Sequence, residues 1–234
     1  MGAQSNAGRV GVWGRSGSGK SAYTKARIAG RKRVIVFDPM DEYSSQGMKT
    51  VRHTSRNALD NVRLLMRKNW AGFRIAYVPP AGKEPQALSA LSELLFAAQS
   101  AYRAGSSSAQ ITLVVEEMNL AFPVSGGVEK CPGFAHVCSR GRHYGVEVIG
   151  ASQRIAEVST RFRGNCTETV VLPQKGPRDI SAAAHELGCN TSKVSALRNL
   201  QFIHEQNGTL QSGQISFKNR RPVAALLKGA LKTS

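Results

Sequence analysis

The sequence predicts an α/β fold in which helices flank a mostly parallel sheet. Short runs rich in β-branched residues alternate with longer stretches of helical periodicity, and this alternation is typical of parallel strands joined by helices. The run Val34-Ile35-Val36-Phe37 is apolar throughout, as expected for a strand buried on both faces. A glycine-rich segment, residues 14–19, separates the first predicted strand from the first predicted helix.

The first half of the chain supplies three strands and three helices. Leu88, Leu91 and Leu95 recur at helical spacing, so residues 84–103 form one amphipathic packing helix in this prediction. The predicted strands are Arg9 to Trp13, Arg33 to Asp38 and Gly72 to Val78, the last closed by two prolines. The predicted helices are about Lys20 to Ala29, Asn57 to Lys68 and Glu84 to Arg103.

The second half continues the alternation of strands and helices and then ends in a predicted β-hairpin. The predicted strands are Ile111 to Val115, Val146 to Ala151 and Thr169 to Leu172. Helices are predicted for a segment ending near Ser139, for Asp179 to Leu187 and for Ser192 to Leu200. Residues 202–217 predict a β-hairpin, because Asn207-Gly208 at their centre is the strongest short hairpin signal.

The domain organisation is simple. Residues 1–217 are expected to form a single domain with its own core. Residues 218–234 are expected to form a basic C-terminal arm, either loose or packed on a neighbouring chain. Its basic residues are Lys218, Arg220, Arg221, Lys228 and Lys232.

The composition favours a polyanionic partner. The 234 residues include 32 Lys and Arg against 15 Asp and Glu, a formal net charge of +17, which a small neutral substrate does not require. Nucleic acid is the first candidate, and a ribosome-like or anionic-membrane surface role is the alternative. No apolar run reaches the roughly 20 residues that span a bilayer, and residues 1–6 lack a signal region. We therefore expect no transmembrane segment and a protein that stays in the cytoplasm.

The cysteines do not predict a metal centre. Cys131, His136, Cys138 and His143 match no standard zinc spacing. The seven-residue separation of Cys131 and Cys138 favours packing on one helical face instead, and four thiols without a CxxC pair suit a reducing compartment.

The glycine-rich segment matches a phosphate-binding loop. Residues 14–21 fit the pattern GxxxxGK[ST], and they lie between a predicted strand and a predicted helix, as the pattern requires. Backbone N–H groups of such a loop bind phosphate, Lys20 would reach the β- and γ-phosphates, and the Ser21 hydroxyl would ligate Mg²⁺. The alternative is a glycine-rich loop that binds no nucleotide. The candidate nucleotide-binding residues are Gly14, Arg15, Ser16, Gly17, Ser18, Gly19, Lys20 and Ser21.

An acidic pair follows the strand predicted at residues 111–115. Glu116 and Glu117 would lie at the carboxyl edge of the sheet, beside the phosphate loop. We assign Glu116 to Mg²⁺, through its water shell, and Glu117 to orienting or deprotonating the attacking water. The alternative is a solvated strand end without catalytic function.

Other polar residues extend the predicted site. Gln153 follows the strand predicted at residues 146–151, where an amide can sense or polarise the γ-phosphate. Arg140 and Arg142 precede that strand, and Arg142 is the first candidate for an arginine finger acting in a neighbouring subunit. Arg161 and Arg163 are the fallback candidates. A DNA-phosphate contact or a solvated surface charge is the alternative for each arginine.

Together these motifs resemble the FtsK–HerA superfamily of ring-forming, DNA-pumping ATPases. The matching segments are Gly14 to Ser21, Val34 to Tyr43, Val114 to Glu117, and Gly141 to Gly145 running into Gln153-Arg154. They span roughly Arg9 to Leu172. The small size is similar to the genome-packaging ATPases of tailless icosahedral DNA viruses, many of which enclose a membrane. One departure is Glu116, where many relatives have Asp.

The resemblance implies a fold, partners and residue roles. The implied fold is a RecA-like P-loop NTPase domain, and the implied cofactors are ATP and Mg²⁺. Lys20 and Ser21 would bind nucleotide and metal, Glu116 and Glu117 would form the acidic pair, Gln153 would be the sensor, and Arg142 the trans finger. The implied assembly is a hexameric ring with the nucleotide between subunits and DNA in a basic pore.

The preferred function is an ATPase that translocates DNA, most plausibly sequence-independent packaging of a double-stranded viral genome into a preformed capsid. Its partners would then include capsid or portal-vertex proteins, with an internal viral membrane contacted through them. Its location would be the host cytoplasm and the packaging vertex of the virion. The alternatives are a nucleotide or small-molecule kinase, and a phage morphogenesis or secretion ATPase that does not act on DNA.

Overall fold

The described residues form one ten-stranded sheet. The computed structural model describes residues 7–54 and 57–231. The strand order is β10-β9-β8-β7-β1-β6-β5-β2-β4-β3. The strands are β1 (Arg9–Trp13), β2 (Arg33–Phe37), β3 (Lys49–Arg52), β4 (Phe73–Val78), β5 (Ile111–Val115), β6 (Val146–Ser152), β7 (Glu168–Val171), β8 (Gln201–Gln206), β9 (Thr209–Lys218) and β10 (Arg221–Leu231).

Helices cover both faces of this sheet. They are α1 (Lys20–Arg27), α2 (Ala58–Lys68), α3 (Glu84–Ala98), α4 (Ser100–Arg103), α5 (Met118–Ala121), α6 (Gly127–Lys130), α7 (Pro132–Arg140), α8 (Thr160–Arg163), α9 (Pro177–Leu187) and α10 (Thr191–Ser195). Leu113 of β5 and Phe134 of α7 belong to the larger core cluster, and Val114 and Tyr23 of α1 belong to the smaller one on the opposite face. The predicted α/β fold is confirmed. In the described ranges, no helix combines the length and the apolar composition that crossing a membrane requires.

The parallel part of the sheet has two distinct edges. The strands from β7 through β1, β6, β5, β2 and β4 to β3 pair in parallel. Their carboxyl ends therefore meet at one edge, called here the carboxyl edge, and their starts meet at the opposite amino edge. Residues 14–19, Glu116 and Gln153 follow β1, β5 and β6, so all of them lie at the carboxyl edge.

The C-terminal strands form an antiparallel meander. β8 pairs with β7 and with β9, and the predicted hairpin is confirmed, because Asn207 and Gly208 join β8 to β9 with φ of 52° and 75°. Arg221–Leu231, within the segment expected as a basic arm, pairs with β9 as β10. The sequence analysis also made predictions about residues 1–6 and 232–234, which lie outside the described residues.

Two predicted helices differ from the structure in their bounds, and one strand was not predicted. The strand β3 was not predicted, because its four residues carry a weak pattern and form their ladder with β4 alone. The helix predicted over residues 84–103 breaks at Gln99, whose buried amide donates to the Ala109 carbonyl at 2.8 Å. The helix predicted over residues 192–200 ends at Ser195, and Leu200 has a φ of 68°. Contacts between residues far apart in the sequence set the bounds of all three elements.

The two cysteines considered as metal ligands are core residues. Cys131 and Cys138 are fully buried in the larger core cluster, at the start of and within α7. Burial raises the pKa of each thiol to about 12, so both stay protonated at neutral pH.

The packing of α3 against α7 depends on a glycine. The Gly133 N–H donates to the Ser89 hydroxyl at 2.9 Å, and a Cβ at Gly133 would lie 2.4 Å from the Ser89 carbonyl oxygen. We expect Gly133→Ala to lower the free energy of unfolding by about 1–3 kcal/mol, because the two helices must separate. Urea unfolding measures this change.

Gly30→Ala is the matched control. A Cβ at Gly30 meets nothing within 4 Å, so its free energy of unfolding should change by less than about 0.5 kcal/mol. Equal effects of the two substitutions would contradict the tight contact between α3 and α7.

Candidate active site

The phosphate loop joins β1 to α1 and is held by its neighbours. Gly17 and Gly19 have φ of 71° and 109°, a region that glycine enters without steric cost. The Gly14 N–H donates to the Ser152 carbonyl at 3.2 Å, and the Arg15 N–H donates to the Pro173 carbonyl at 2.8 Å. The loop is therefore anchored to the ends of β6 and β7.

The loop fits a nucleotide phosphate. The buried Ser18 Oγ has no hydrogen-bond partner in the described part of the chain, and a Cβ at Gly14 would lie 2.5 Å from it. The first turn of α1 contains no acidic residue, and no side chain caps it. The first N–H groups of α1 thus remain available to an anion.

Lys20 brings a positive charge into a largely buried position. The residue is 7% exposed, and burial lowers the pKa of its ammonium group. Glu117, Glu116 and Glu42 oppose that decrease in pKa, in this order of strength. The ammonium group therefore lies in the field of three carboxylates, one from the loop after β2 and two from the end of β5.

Glu116 is buried beside this lysine. The Tyr43 hydroxyl donates to Glu116 Oε1 at 2.6 Å. Burial raises the pKa of Glu116 to about 7, against the opposing effects of the Tyr43 hydrogen bond and of Lys20. Asp38 positions Tyr43, because its carboxylate accepts the Tyr43 N–H at 2.9 Å.

Glu117 and Gln153 form a second pair. Glu117 has a φ of 46°, a backbone conformation that costs a non-glycine residue free energy and often marks functional sites. The Gln153 side-chain amide donates to Glu117 Oε1 at 2.9 Å. Residues predicted from the ends of two different strands are thus in direct contact.

The structure adds residues that sequence reasoning missed. The Ser21 hydroxyl donates to Glu42 Oε2 at 3.3 Å, and Glu42 also acts on Lys20 and Glu116. The sequence contains one signal, because the acidic run Asp38 to Glu42 directly follows a predicted strand, but only the structure shows that β2 neighbours β5. Ser21, Glu42 and Glu116 are oxygen donors of the kind that Mg²⁺ prefers.

The arginine candidates do not join this site within one chain. Arg142 lies in the turn before β6, at the amino edge. Burial lowers the pKa of the nearby Arg9, and the positive charge of Arg142 lowers it further. Arg163 forms a salt bridge with Glu186, and Arg161 donates to the Ser139 hydroxyl at 2.9 Å. The phosphate loop lies at the opposite edge from all of them.

Comparison by sequence gave no relatives, whereas comparison by structure gave several. No protein-family model and no curated protein matches the chain. The genome packaging NTPase B204 of Sulfolobus turreted icosahedral virus 2, in complex with ATP-gammaS, superposes with a TM-score of 0.65 at 17% identity, over 88% of this chain and 97% of that one.

Two further structures are similar. The DNA-packaging ATPase B204 of Sulfolobus turreted icosahedral virus has a TM-score of 0.64 at 16% identity, over 89% of this chain and 98% of its own. VirB4 of Thermoanaerobacter pseudethanolicus has a TM-score of 0.65 at 13% identity, over 91% of this chain and 90% of its own. The chain therefore has the fold of these ATPases.

The raised pKa of Glu116 predicts a pH-dependent stability. A carboxyl group that ionises at about 7 in the folded chain, against 4.5 ordinarily, contributes stability that is fully present below about pH 4.5. That stability is lost as the pH rises through about 7. Glu116→Gln removes this titration, so the variant should gain up to about 3 kcal/mol on the wild type by about pH 8.

Urea unfolding of the nucleotide-free protein in EDTA, at about pH 5 and about pH 8, measures the difference. Glu93→Gln, at an exposed carboxylate of α3, is the matched control and should show no such gain. A Glu116→Gln effect that is the same at both pH values would refute the prediction.

Proposed function

We propose that the chain is a Mg²⁺-dependent ATPase that converts hydrolysis into movement of DNA and packages a viral genome into a preformed capsid. The observation that carries this proposal is the position of the Lys20 ammonium group, among Glu42, Glu116 and Glu117 at the phosphate loop. The fold shared with the two B204 proteins supports the packaging function.

The phosphate loop and the first turn of α1 would hold the triphosphate. Backbone N–H groups bind the phosphates in such loops. Here Gly17, Gly19 and the first turn of α1 would supply them, because the Gly14 and Arg15 N–H groups donate to carbonyls, and Lys20 would neutralise charge on the β- and γ-phosphates. Ser21 and Glu116 would hold Mg²⁺, with Glu42 close to Ser21. When bound, Mg²⁺ neutralises phosphate charge and orients the γ-phosphate for attack.

Glu117 is the proposed general base. It would accept a proton from the water that attacks the γ-phosphate, and the Gln153 amide fixes the orientation of its carboxylate. Lys20 lies close enough to act on Glu117, so the base and the phosphate-binding cation belong to one site. Gln153 would also sense the γ-phosphate, since it follows β6 next to the loop.

A ring assembly would complete the site. Arg142 lies at the amino edge and is exposed, so we assign it to the nucleotide site of a neighbouring subunit, as a trans finger. A homo-oligomer, most simply a hexamer, would supply one such arginine per site. Double-stranded DNA, bound without sequence preference, and capsid or portal-vertex proteins are the proposed partners. The proposed location is the host cytoplasm and the virion, with any internal membrane contacted through partners.

Hydrolysis of ATP and its response to DNA test the site. We expect the wild type to hydrolyse ATP faster when double-stranded DNA is added. Lys20→Ala and Glu117→Gln should each lower turnover at least about 100-fold, because one removes the phosphate-binding cation and the other the base. Steady-state phosphate release measures the rates, and thermal unfolding checks the fold of each variant.

Glu129→Gln, at an exposed carboxylate of α6, is the control and should retain wild-type turnover. Full activity of both site variants would refute the proposed site. Activity that rises with a nucleoside and ignores DNA would indicate a kinase, and ATP hydrolysis indifferent to both would indicate an assembly or secretion ATPase.

Mixed assemblies test the trans finger. Arg142→Ala should abolish turnover, and mixing it with Lys20→Ala subunits should restore part of it. In a random one-to-one mixture, about a quarter of the interfaces combine an intact phosphate loop with an intact arginine. Turnover is measured after the two variants are mixed and allowed to exchange subunits. An absence of any recovery in mixed particles would argue against a finger that acts across the interface.

A further inference from the structure

A strip of basic residues lies along the amino edge of the sheet, from the start of β7 to the start of β4. Side chains from the starts of six parallel strands and from the ends of the preceding helices and turns meet there. The basic residues of this edge between β7 and β4 are Arg9, Arg27, Arg31, Lys32, Arg33, Lys68, Arg74, Arg103, Arg140, Arg142, Arg161 and Arg163. They come from elements on both faces of the sheet, and this set of residues is called the strip.

The carboxylates of this edge are already engaged. Glu147 accepts from Arg31 at 2.6 Å and from the Thr112 hydroxyl at 2.7 Å. Glu168 binds Arg27 and His204. Glu186 forms a salt bridge with Arg163, and Glu205, near the end of β8, accepts the Gly208 N–H.

Several cations of the strip remain exposed. Lys32, Lys68 and Arg103 are exposed, and within the described ranges no carboxylate forms a salt bridge with them. The acidic residues are mostly elsewhere, because ten of the 15 lie at the carboxyl edge. Those ten are Asp38, Asp41, Glu42, Asp60, Glu84, Glu116, Glu117, Glu129, Glu157 and Asp179.

The strip has the dimensions of a nucleic-acid contact. From β7 to β4 there are five strand spacings, or about 24 Å at ~4.8 Å each. About seven base pairs of DNA have the same length at ~3.4 Å per pair. Most of the strip is arginine, whose planar group binds phosphate oxygens in pairs.

We propose that the amino edge is a DNA-docking face that binds the phosphate backbone of a duplex, on the opposite side of the sheet from the nucleotide site. The identity of the partner rests on the proposed function, whereas the location of the face rests on the charge distribution alone. Because the two edges are separate, substitutions at Lys32 and Lys68 of the face change DNA affinity without touching the nucleotide site or Arg142, the proposed trans finger.

The surface chemistry favours DNA over an anionic membrane. The aromatic rings of this edge are covered, since the Arg33 guanidinium lies 5.6 Å from the Trp70 ring centroid and that of Arg103 lies 5.9 Å from Tyr144. Of the exposed large apolar side chains in the described residues, Leu64 lies one helical turn from Lys68, and Val223 and Leu226 line a pocket with Arg27 at one end of the strip. A bilayer would require several such side chains to insert.

Matched pairs of lysine substitutions test the face. Arg140, Arg142, Arg161 and Arg163 are avoided, because they are also the finger candidates. Lys32→Glu combined with Lys68→Glu reverses two charges at the amino edge. Lys83→Glu combined with Lys130→Glu makes the same change at exposed lysines of the carboxyl edge. Fluorescence anisotropy with a labelled duplex of about 30 base pairs, over a series of salt concentrations, gives the affinity.

We expect the amino-edge pair to weaken DNA binding at least about tenfold and to reduce the slope of log affinity against log salt by about 2. ATP turnover without DNA and the melting temperature should not change. The carboxyl-edge pair should retain the wild-type affinity within about twofold.

Equal loss of affinity in both pairs, or no loss in either, would overturn the docking face while leaving the proposed function intact. A wild type that hydrolyses ATP but neither binds DNA nor responds to it would overturn both. Binding to phosphatidylserine vesicles in place of DNA, lost in the amino-edge pair, would reassign the strip to a membrane and overturn the proposal.

Discussion

The candidate nucleotide site depends on the burial of one ammonium group among carboxylates. A buried lysine without partners would cost several kcal/mol, and the fields of Glu117, Glu116 and Glu42 offset that cost. The same carboxylates repel one another, which contributes to the raised pKa of Glu116. The Tyr43 hydroxyl compensates in part, because it donates to Glu116 from a fully buried position.

The parallel sheet holds these charges in place by extending its hydrogen bonds beyond the strand ends. The Glu116 N–H donates to the Phe37 carbonyl at 3.0 Å, and the Gly14 N–H donates to the Ser152 carbonyl. The loops at the carboxyl edge therefore begin from fixed positions, which is what a preorganised electrostatic site requires. The amino edge is formed by the starts of the same parallel strands, and the cations that precede these strands lie there.

The antiparallel meander is tied to the phosphate loop through Leu200. Its N–H donates to the Ser18 carbonyl at 3.1 Å, and its carbonyl accepts the Ile215 N–H at 2.8 Å. The positive φ of Leu200 costs about 1–3 kcal/mol and persists only where the surroundings fix it. A Cβ at Gly19 would contact both Leu200 and Ile215, so β8 and β9 shape the loop directly.

Local patterns in the sequence predicted the α/β class, the candidate phosphate loop, the acidic pair after β5 and the Asn207-Gly208 hairpin. Each of these features is encoded by residues close together in the chain, at a strand end or in a tight turn of fixed geometry. The sequence also placed Gln153 and Glu117 at the ends of two strands, and the hydrogen bond between them came from the structure. Only the tertiary structure decided that Glu42 and Tyr43 join the site and that Arg142 lies at the opposite edge from the phosphate loop. These features depend on which strands are neighbours, and strand order is set by the packing of segments far apart in the chain.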